Sequence, residues 1–485
     1  MKQFFKYYTP IALSLAIAVT SCKKSFLDDP RPTNQVSEND IFSSASNIRA
    51  YFTGIYNIIR SDMLSHDSDG AKSYDLAYEV MGDDIMTPFG NWYSFDYEID
   101  NSRSVYRRTR FTWNFHYKVI NNTNVIIAGL GEAPIPDNAK LAFEAEARAI
   151  RAWAYFNLIR AYQHAYSKDK SALGVPLYTV PTSADNEGNP RSSVEEVYAL
   201  IVSDLDFAVQ HLTGERAFKY MINKSVAHGI FARVYLTMEE WEKAEQQAFA
   251  ALEGYGVATA SYTAANIQQA FTPADYDKGF NSYDASEWLW GLPLRNDQAM
   301  YYRSLFSFFD HDRTDGYKNF YVNNTFVNRF SDTDVRKLFA TKNGYYITTK
   351  FRDLNDLSGH LVMMRSPELV LVIAEARAEL NDLDNAKVVL HTLQVNRDPN
   401  ALISANDTKQ ALIEEILVER RKELYGEIGV MAQDIKRKQL DLVRTGNHPA
   451  AYLNTYPANY THFIFQIPQE EMDANEHIAP GDQNP

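Results

Sequence analysis

Apolar side chains recur along much of the chain at steps of three and four, the spacing that lines one face of an α-helix. Between Phe143 and Ala165, one such face is Ala145, Ala149, Ala152, Phe156 and Ile159, and a second is Ala147, Ile150, Ala154, Leu158 and Ala161. An alanine-rich helix with two apolar faces has to be covered on both sides at close distance. Ser192 and Ser193 followed by Glu195 and Glu196 satisfy a capping box that opens a helix through about His211. Lys224–Met238 and Glu239–Glu253 predict a hairpin, with Trp241, Ala244, Ala248 and Leu252 on one face of its second arm and Gly254 as the stop. Ser366, Pro367 and Glu368 supply an N-cap and a first-turn proline ahead of Leu369, Val372, Ile373, Ala376 and Leu380. Asp384 to Val395 returns with Ala386, Val389 and Leu393 in phase, and Asp407 opens a further helix through about Tyr425.

The period fades in two places. From Gly254 to Leu361, short strands are expected at Glu287–Leu292 and Gly344–Thr349, set in Asn-, Asp-, Tyr- and Gly-rich loops. Another loop-rich stretch runs from His66 to Tyr106. Long loops in a compact protein are usually functional, so these two stretches are where a site is expected. The two helical pairs resemble tetratricopeptide units, although long insertions interrupt any regular repeat. The expected fold is therefore mainly α: tetratricopeptide-like helical hairpins with long irregular loop insertions and a few short strands.

The amino terminus sets the compartment. Lys2 and Lys6 precede an apolar run from Pro10 to Val19, too short to span a bilayer but long enough for a signal-peptide core. Thr20, Ser21 and Cys22 follow it, and Val-Thr-Ser-Cys resembles the lipobox of bacterial lipoproteins, in which the thiol is acylated and the cysteine becomes the first residue. Cys22 is the 1 cysteine of the 485 residues, so no disulfide is available to the mature fold. Lys23 to Pro32 reads as a tether, and the acidic pair Asp28 and Asp29 is compatible with surface export. A net charge of −14 argues against nucleic acid, whose phosphates need clustered Lys and Arg. Aromatic residues reach 13%, with 31 Tyr, a side chain that combines a flat apolar face with a hydroxyl and suits wet ligands such as sugars.

Four stretches, in order, resemble the SusD/RagB family of nutrient-binding outer-membrane lipoproteins of Bacteroidetes. They are Glu146 to Tyr162 running on to Gly174-Val-Pro-Leu177, Met364 to Ala376, Ile416 to Leu424, and Phe465 to Met472 with the terminal Gln483-Asn-Pro485. One departure stands out: where the family usually continues with Glu-Gly-x-Arg, the stretch from Glu427 to Arg437 lacks that arginine. The resemblance implies a lid on a SusC-like, TonB-dependent outer-membrane barrel, facing the cell exterior and held by its lipid anchor. Such a lid captures an oligosaccharide, or in some members a peptide, without catalysis. A tetratricopeptide scaffold that grips another protein and takes no small ligand is the competing expectation. The expected divisions are a signal peptide at 1–21, a lipidated tether and N-terminal segment at 22–45, an N-terminal helical region at 46–255 with a ligand loop at 66–106, a loop and short-strand insertion at 256–361 and a C-terminal helical region at 362–485.

Sugar binding requires flat aromatic faces flanked by planar polar groups. The stretch from Gly82 to Tyr93 has both, which makes Asp83, Asn91, Trp92 and Tyr93 candidates; Tyr301, Tyr302 and Arg303 are the candidates on the second loop. Trp288 and Trp290 share a parity on an expected strand and read as core aromatics. Glu419 and Glu423, one helical turn apart amid Arg420, Arg421 and Lys422, read as part of an ion-pair network rather than a glycosidase pair. Asp67-Ser-Asp69-Gly70 and Asp332-Thr-Asp334 are fragments of calcium loops that turns explain adequately, and Gly129-Leu-Gly131 reads as a helix end. No catalytic residue, metal site or cofactor is expected, since HExxH, Walker and G-x-S-x-G patterns do not occur.

Overall fold

Helical hairpins dominate the computed structural model, which describes residues 38–183, 186–253, 279–353 and 356–485. The expected leader, Cys22, the tether and the Gly254 stop lie outside those residues. The long helices are α1 (Ala45–Arg60), α2 (Gly70–Met81), α3 (Arg107–Gly129), α4 (Asp137–Tyr162), α5 (Val194–His211), α6 (Lys224–Met238), α7 (Trp241–Leu252), α8 (Ser366–Glu379), α9 (Leu383–Arg397), α10 (Lys409–Leu424) and α11 (Val430–Lys438). α4 packs against both α3 and α5, so each of its two apolar faces has a partner. All of Ala145, Ala147, Ala149, Ala152, Ala154 and Ala161 are fully buried. α6 packs on α7, α7 on α8, and α8 on α9 and α10, which gives the stacked-hairpin architecture the periodicity predicts.

The helix starts follow their caps. Ser193 accepts from the Glu196 N–H while the Glu196 carboxylate reaches back to the Ser193 N–H, closing a capping box at α5. Arg365 rather than Ser366 occupies the N-cap position of α8, and Pro367 lies in its first turn. α10 is capped by the Thr408 hydroxyl, which accepts from the Ala411 N–H. α3 ends at Gly129, where a Cβ would lie 2.0 Å from the Phe42 ring; only glycine lets that ring close over the helix end.

The insertion contributes strands. β2 (Trp288–Leu292) pairs antiparallel with β6 (Leu361–Arg365), and both are buried along their whole length. Trp288 and Trp290 are core residues: the Trp290 indole donates to the Tyr220 carbonyl at 2.9 Å and meets Trp153 edge-on at 5.8 Å. A second, four-stranded sheet has the order β1 (Ile85–Met86), β3 (Tyr321–Val322), β5 (Tyr345–Thr348), β4 (Phe339–Lys342). Asn343 and Gly344, both with positive φ, make the tight turn between its last two strands.

The stretch 66–106 departs from expectation, because it contains the 12-residue helix α2. That helix is buried almost all round, with Lys72 and Glu79 inside, so its sequence carries no polar face to show a period. Glu419 and Glu423 do sit in an ion-pair network, joined by neighbouring Lys422 but chiefly by arginines distant in sequence. Glu423 receives Arg336 at 3.0 Å, Arg365 at 2.8 Å and Arg397 at 3.1 Å, while Glu419 takes Arg336 at 2.6 Å and Lys422 at 3.6 Å. Arg420 pairs instead with Asp434 at 2.9 Å, and Asp434 also takes Arg437 at 2.8 Å. These contacts occupy the stretch in which the expected arginine is lacking.

Candidate functional site

One backbone pairing brings the two expected loops together. Ile85 and Met86 of β1 pair with Val322 and Tyr321 of β3, so the residues just after β1 and just before β3 run side by side. Between them lies a depression of about 540 Å3 lined by Phe89, Asn91, Trp92, Tyr317, Lys318 and Asn319, with Gly90 and Tyr321 at its edge.

Its aromatic wall is continuous. The Trp92 indole stacks on the His66 ring at 4.9 Å and 9°. His66 Nδ1 shares a 2.7 Å hydrogen bond with the Tyr317 hydroxyl, and Tyr317 meets the Tyr302 ring at 5.4 Å. Trp92 is 36% exposed, Tyr302 44% and Tyr301 60%. Phe89, also exposed, stands edge-on to Tyr321 and Tyr345 at 5.8 Å. Offset and edge-to-face ring contacts of this kind hold a flat surface rigid without covering it.

Buried charges support the wall from behind. Arg107 forks onto Asp67 with Nε at 3.2 Å and Nη2 at 2.8 Å, and its guanidinium lies 5.5 Å from the Trp92 ring centre. Burial works against the Asp67 charge, but Arg108 and Arg107 outweigh it and hold the carboxyl below its usual range. Arg303 is fixed by Asp69 at 2.5 Å, and Gly70 after it adopts φ +63° where a Cβ would lie 2.4 Å from the Arg60 carbonyl oxygen. Asp67 and Asp69 thus anchor loops, and no cluster suited to a metal ion occurs among the described residues. Tyr301 and Lys318 both have φ +49°, a left-handed backbone that costs a non-glycine residue about 1 kcal/mol and concentrates at functional sites.

The sequence candidates divide. Trp92, Tyr301 and Tyr302 present ring surface to solvent, and Arg303 braces the second loop. Asn91 lines the depression, but its side chain is occupied within the loop: Nδ2 donates to the Phe89 carbonyl at 2.7 Å and Oδ1 accepts the Tyr93 N–H at 2.8 Å. Tyr93 points inward, at 0% exposure, between Phe308 and Phe320, and its hydroxyl has no hydrogen-bond partner among the described residues. Asp83 is also interior, accepting from the Thr445 N–H at 2.8 Å and meeting His448 at 3.2 Å. Both are interior and neither lines the depression: the chain turns into the short helix at Ser94–Tyr97 with Trp92 exposed and Tyr93 buried, while Asp83 is held by the Thr445 backbone. Sequence reasoning missed His66, Tyr317, Lys318 and Asn319. Among the described residues, the buried Asn319 Oδ1 has no hydrogen-bond partner, and the Lys318 ammonium donates to two carbonyl oxygens, each at 3.4 Å. Gly316 before Tyr317 and the Asp-Ser-Asp-Gly turn after His66 were the available signals.

The floor is closed from the far end of the chain. The buried Arg444 guanidinium donates to the carbonyl oxygens of Val80 and Met81 at 3.0 Å, Gly82 at 3.1 Å and Tyr97 at 2.6 Å. It thereby satisfies the last turn of α2, just ahead of the Trp92 loop.

Comparison with known proteins finds two family models side by side. Residues 25–236 match a family described as starch-binding and associating with the outer membrane, and residues 237–485 match the SusD family. Among solved structures, a SusD-like carbohydrate binding protein from Bacteroides vulgatus superposes with a TM-score of 0.82 at 27% identity, over 92% of this chain and 99% of that one. A SusD-like protein of Formosa agariphila is 33% identical over 27% of this chain and 24% of its own length. One from Bacteroides ovatus is 24% identical over 50% of this chain and 41% of its own. The matches thus span less than half of those curated relatives.

Proposed function

Starting from a chain that belongs to the SusD family, we propose that the aromatic depression captures an oligosaccharide at the outer membrane and passes it on chemically unaltered. The observation that carries this reading is the continuous Trp92–His66–Tyr317–Tyr302 wall with Phe89 and Tyr301 beside it. Pyranose rings present apolar C–H faces that stack on exposed aromatic rings, while their hydroxyls need fixed polar partners. Asn319 Oδ1, an acceptor left without a partner, and the loosely held Lys318 ammonium meet that need. The carbohydrate-binding relative of known structure and the starch-binding family model support the same ligand class.

The delivery step is part of the proposal. A lipid on Cys22 anchors the protein, no helix among the described residues being long and apolar enough to cross a membrane. A SusC-like TonB-dependent barrel receives the cargo. The acidic residues quoted as possible hydrolytic pairs are consumed in ion pairs, which supports binding without turnover.

Isothermal titration of the purified protein against a panel of oligosaccharides tests the reading. At least one neutral glycan is expected to bind, and Trp92→Ala and Tyr302→Ala are each expected to weaken it about tenfold or more, in line with the loss of one stacked ring. Full-strength binding in the double variant would refute the assignment of the site. Release of new reducing ends would refute the non-catalytic role.

A further inference from the structure

A second, smaller cavity lies away from the aromatic depression, where α2, α4, α6, α8, α10 and α11 converge. It encloses about 70 Å3, far below the roughly 300–1,000 Å3 of a site for an organic ligand but enough for several waters or one small ion.

Its charges do not balance. Lys436 is buried, yet its ammonium donates only to the carbonyl oxygens of Phe463, at 2.6 Å, and Arg160, and it forms no ion pair among the described residues. Arg160 likewise has no carboxylate partner among the described residues: Nη2 donates to Asn157 Oδ1 at 2.5 Å, Nε to the Phe156 carbonyl at 3.3 Å, and the guanidinium lies 4.1 Å over the Phe156 ring. Arg420 spends Nε and Nη2 on Asp434, while its buried Nη1 has no hydrogen-bond partner among the described residues. The other charged groups are matched: Arg233 with Glu368 at 2.6 Å, Arg437 with Asp434 and Glu375, and Asp75 with Lys72 at 2.9 Å. The six cations Lys72, Arg160, Arg233, Arg420, Lys436 and Arg437 therefore meet only the four carboxylates Asp75, Glu368, Glu375 and Asp434.

Buried charges in native proteins are paired, and a buried donor without a partner calls for a bound water or ion. His116 and His164 do not add to the positive surplus, since burial keeps both neutral, with pKa values lowered to about 4 and about 3. The rim at Arg160, Gln163 and His164 is partly exposed, which gives an ion a way in.

We propose that this cavity binds one doubly charged tetrahedral oxyanion, of the sulfate or hydrogen phosphate class, between Arg160, Lys436 and Nη1 of Arg420. Such an ion offsets the positive surplus and ties α4 of the N-terminal half to α10 and α11 of the C-terminal half. The ammonium of Lys436, now lowered to about 7 by burial and by the nearby Arg160 charge, then becomes fully charged.

The test is calorimetric melting of the full chain at constant ionic strength, with sodium chloride replaced stepwise by sodium sulfate or by inorganic phosphate. At about a hundredfold excess over Kd, linkage raises the Tm of a chain this long by about 2–3 °C. Lys436→Met is expected to abolish the rise. Arg160→Gln, at the partly exposed rim, carries the same test should Lys436→Met not fold. A rise with sulfate alone or phosphate alone identifies the ion. Equal rises in the wild type and the variants, or no rise together with a selenate-soaked crystal lacking anomalous density between Arg160 and Lys436, would overturn the proposal in favour of water alone.

Discussion

Replacing Glu423 by glutamine tests how much of the stability rests on the buried ion network. Glu423 is 0% exposed and sits among Arg336, Arg365 and Arg397 at 2.8–3.1 Å. Burial opposes its charge, but Arg397, Arg365 and Arg336 outweigh that penalty and hold its carboxyl well below the ordinary range. Removing one partner of a buried pair costs about 3–5 kcal/mol, because the remaining charge is stranded. Here each guanidinium keeps another carboxylate: Asp334 and Glu419 for Arg336, Glu287 and Glu427 for Arg365, Glu287 for Arg397. The cost should therefore fall near the lower end, about 3 kcal/mol. With roughly 2.1 cal/mol/K of unfolding entropy per residue, 485 residues give about 1 kcal/mol per degree, so the expected fall in Tm is about 3 °C at pH 7. The depressed carboxyl pKa fixes the sign with pH: its stabilisation is present above the ordinary value and is lost as pH falls through the folded one. The gap between wild type and Glu423→Gln should hold from pH 7 to about 5 and close in stronger acid. Differential scanning calorimetry with exposed Glu414→Gln as control reads it. A fall no larger than the control's, or a gap that widens in acid, would refute the reasoning.

Other outcomes follow from single sites. Tyr93→Phe removes a buried hydroxyl that has no partner, so Tm should stay level or rise by about 1 °C, and glycan titration should be unchanged; a loss of binding would return Tyr93 to the ligand surface. Gly129→Ala drives a methyl into the Phe42 ring and should cost about 1–3 kcal/mol, seen as an early thermal transition. Burial raises the Glu79 carboxyl from 4.5 to about 7, although the Gly426 and Gly429 N–H groups pull it down. For a carboxyl shifted upward, the contribution to stability is full below the ordinary value and is lost as pH rises through 7. Glu79→Gln should therefore gain on wild type by on the order of 2–3 °C between pH 5 and pH 8 in paired melts, and a difference that does not move with pH would contradict this.

The hairpins were legible because burial in them follows the helical period. α4 shows two alanine faces and has two neighbouring helices, and α5 carries its own start signal in Ser193 and Glu196. α2 was hidden for the opposite reason: buried on all sides, with Lys72 and Glu79 satisfied by partners more than 300 residues away, it gives the period nothing to report. The site was half legible. An exposed Trp beside amides and glycines marks a recognition loop, but whether Trp92 or Tyr93 faces solvent depends on the turn at Ser94, which composition does not encode. His66 and Tyr317 were beyond reach, since their 2.7 Å bond joins segments 251 positions apart through a two-residue strand pairing.

Arg444 has a consequence for how the molecule matures. The clamp under the recognition surface arrives only after more than nine-tenths of the chain has been made, so a product cut short at, say, residue 440 would retain Trp92, Tyr302 and Tyr317 while leaving four backbone oxygens bare beneath them. Loss of this distal segment, none of which lines the depression, would thus strip support from the Trp92 loop without removing a single aromatic ring.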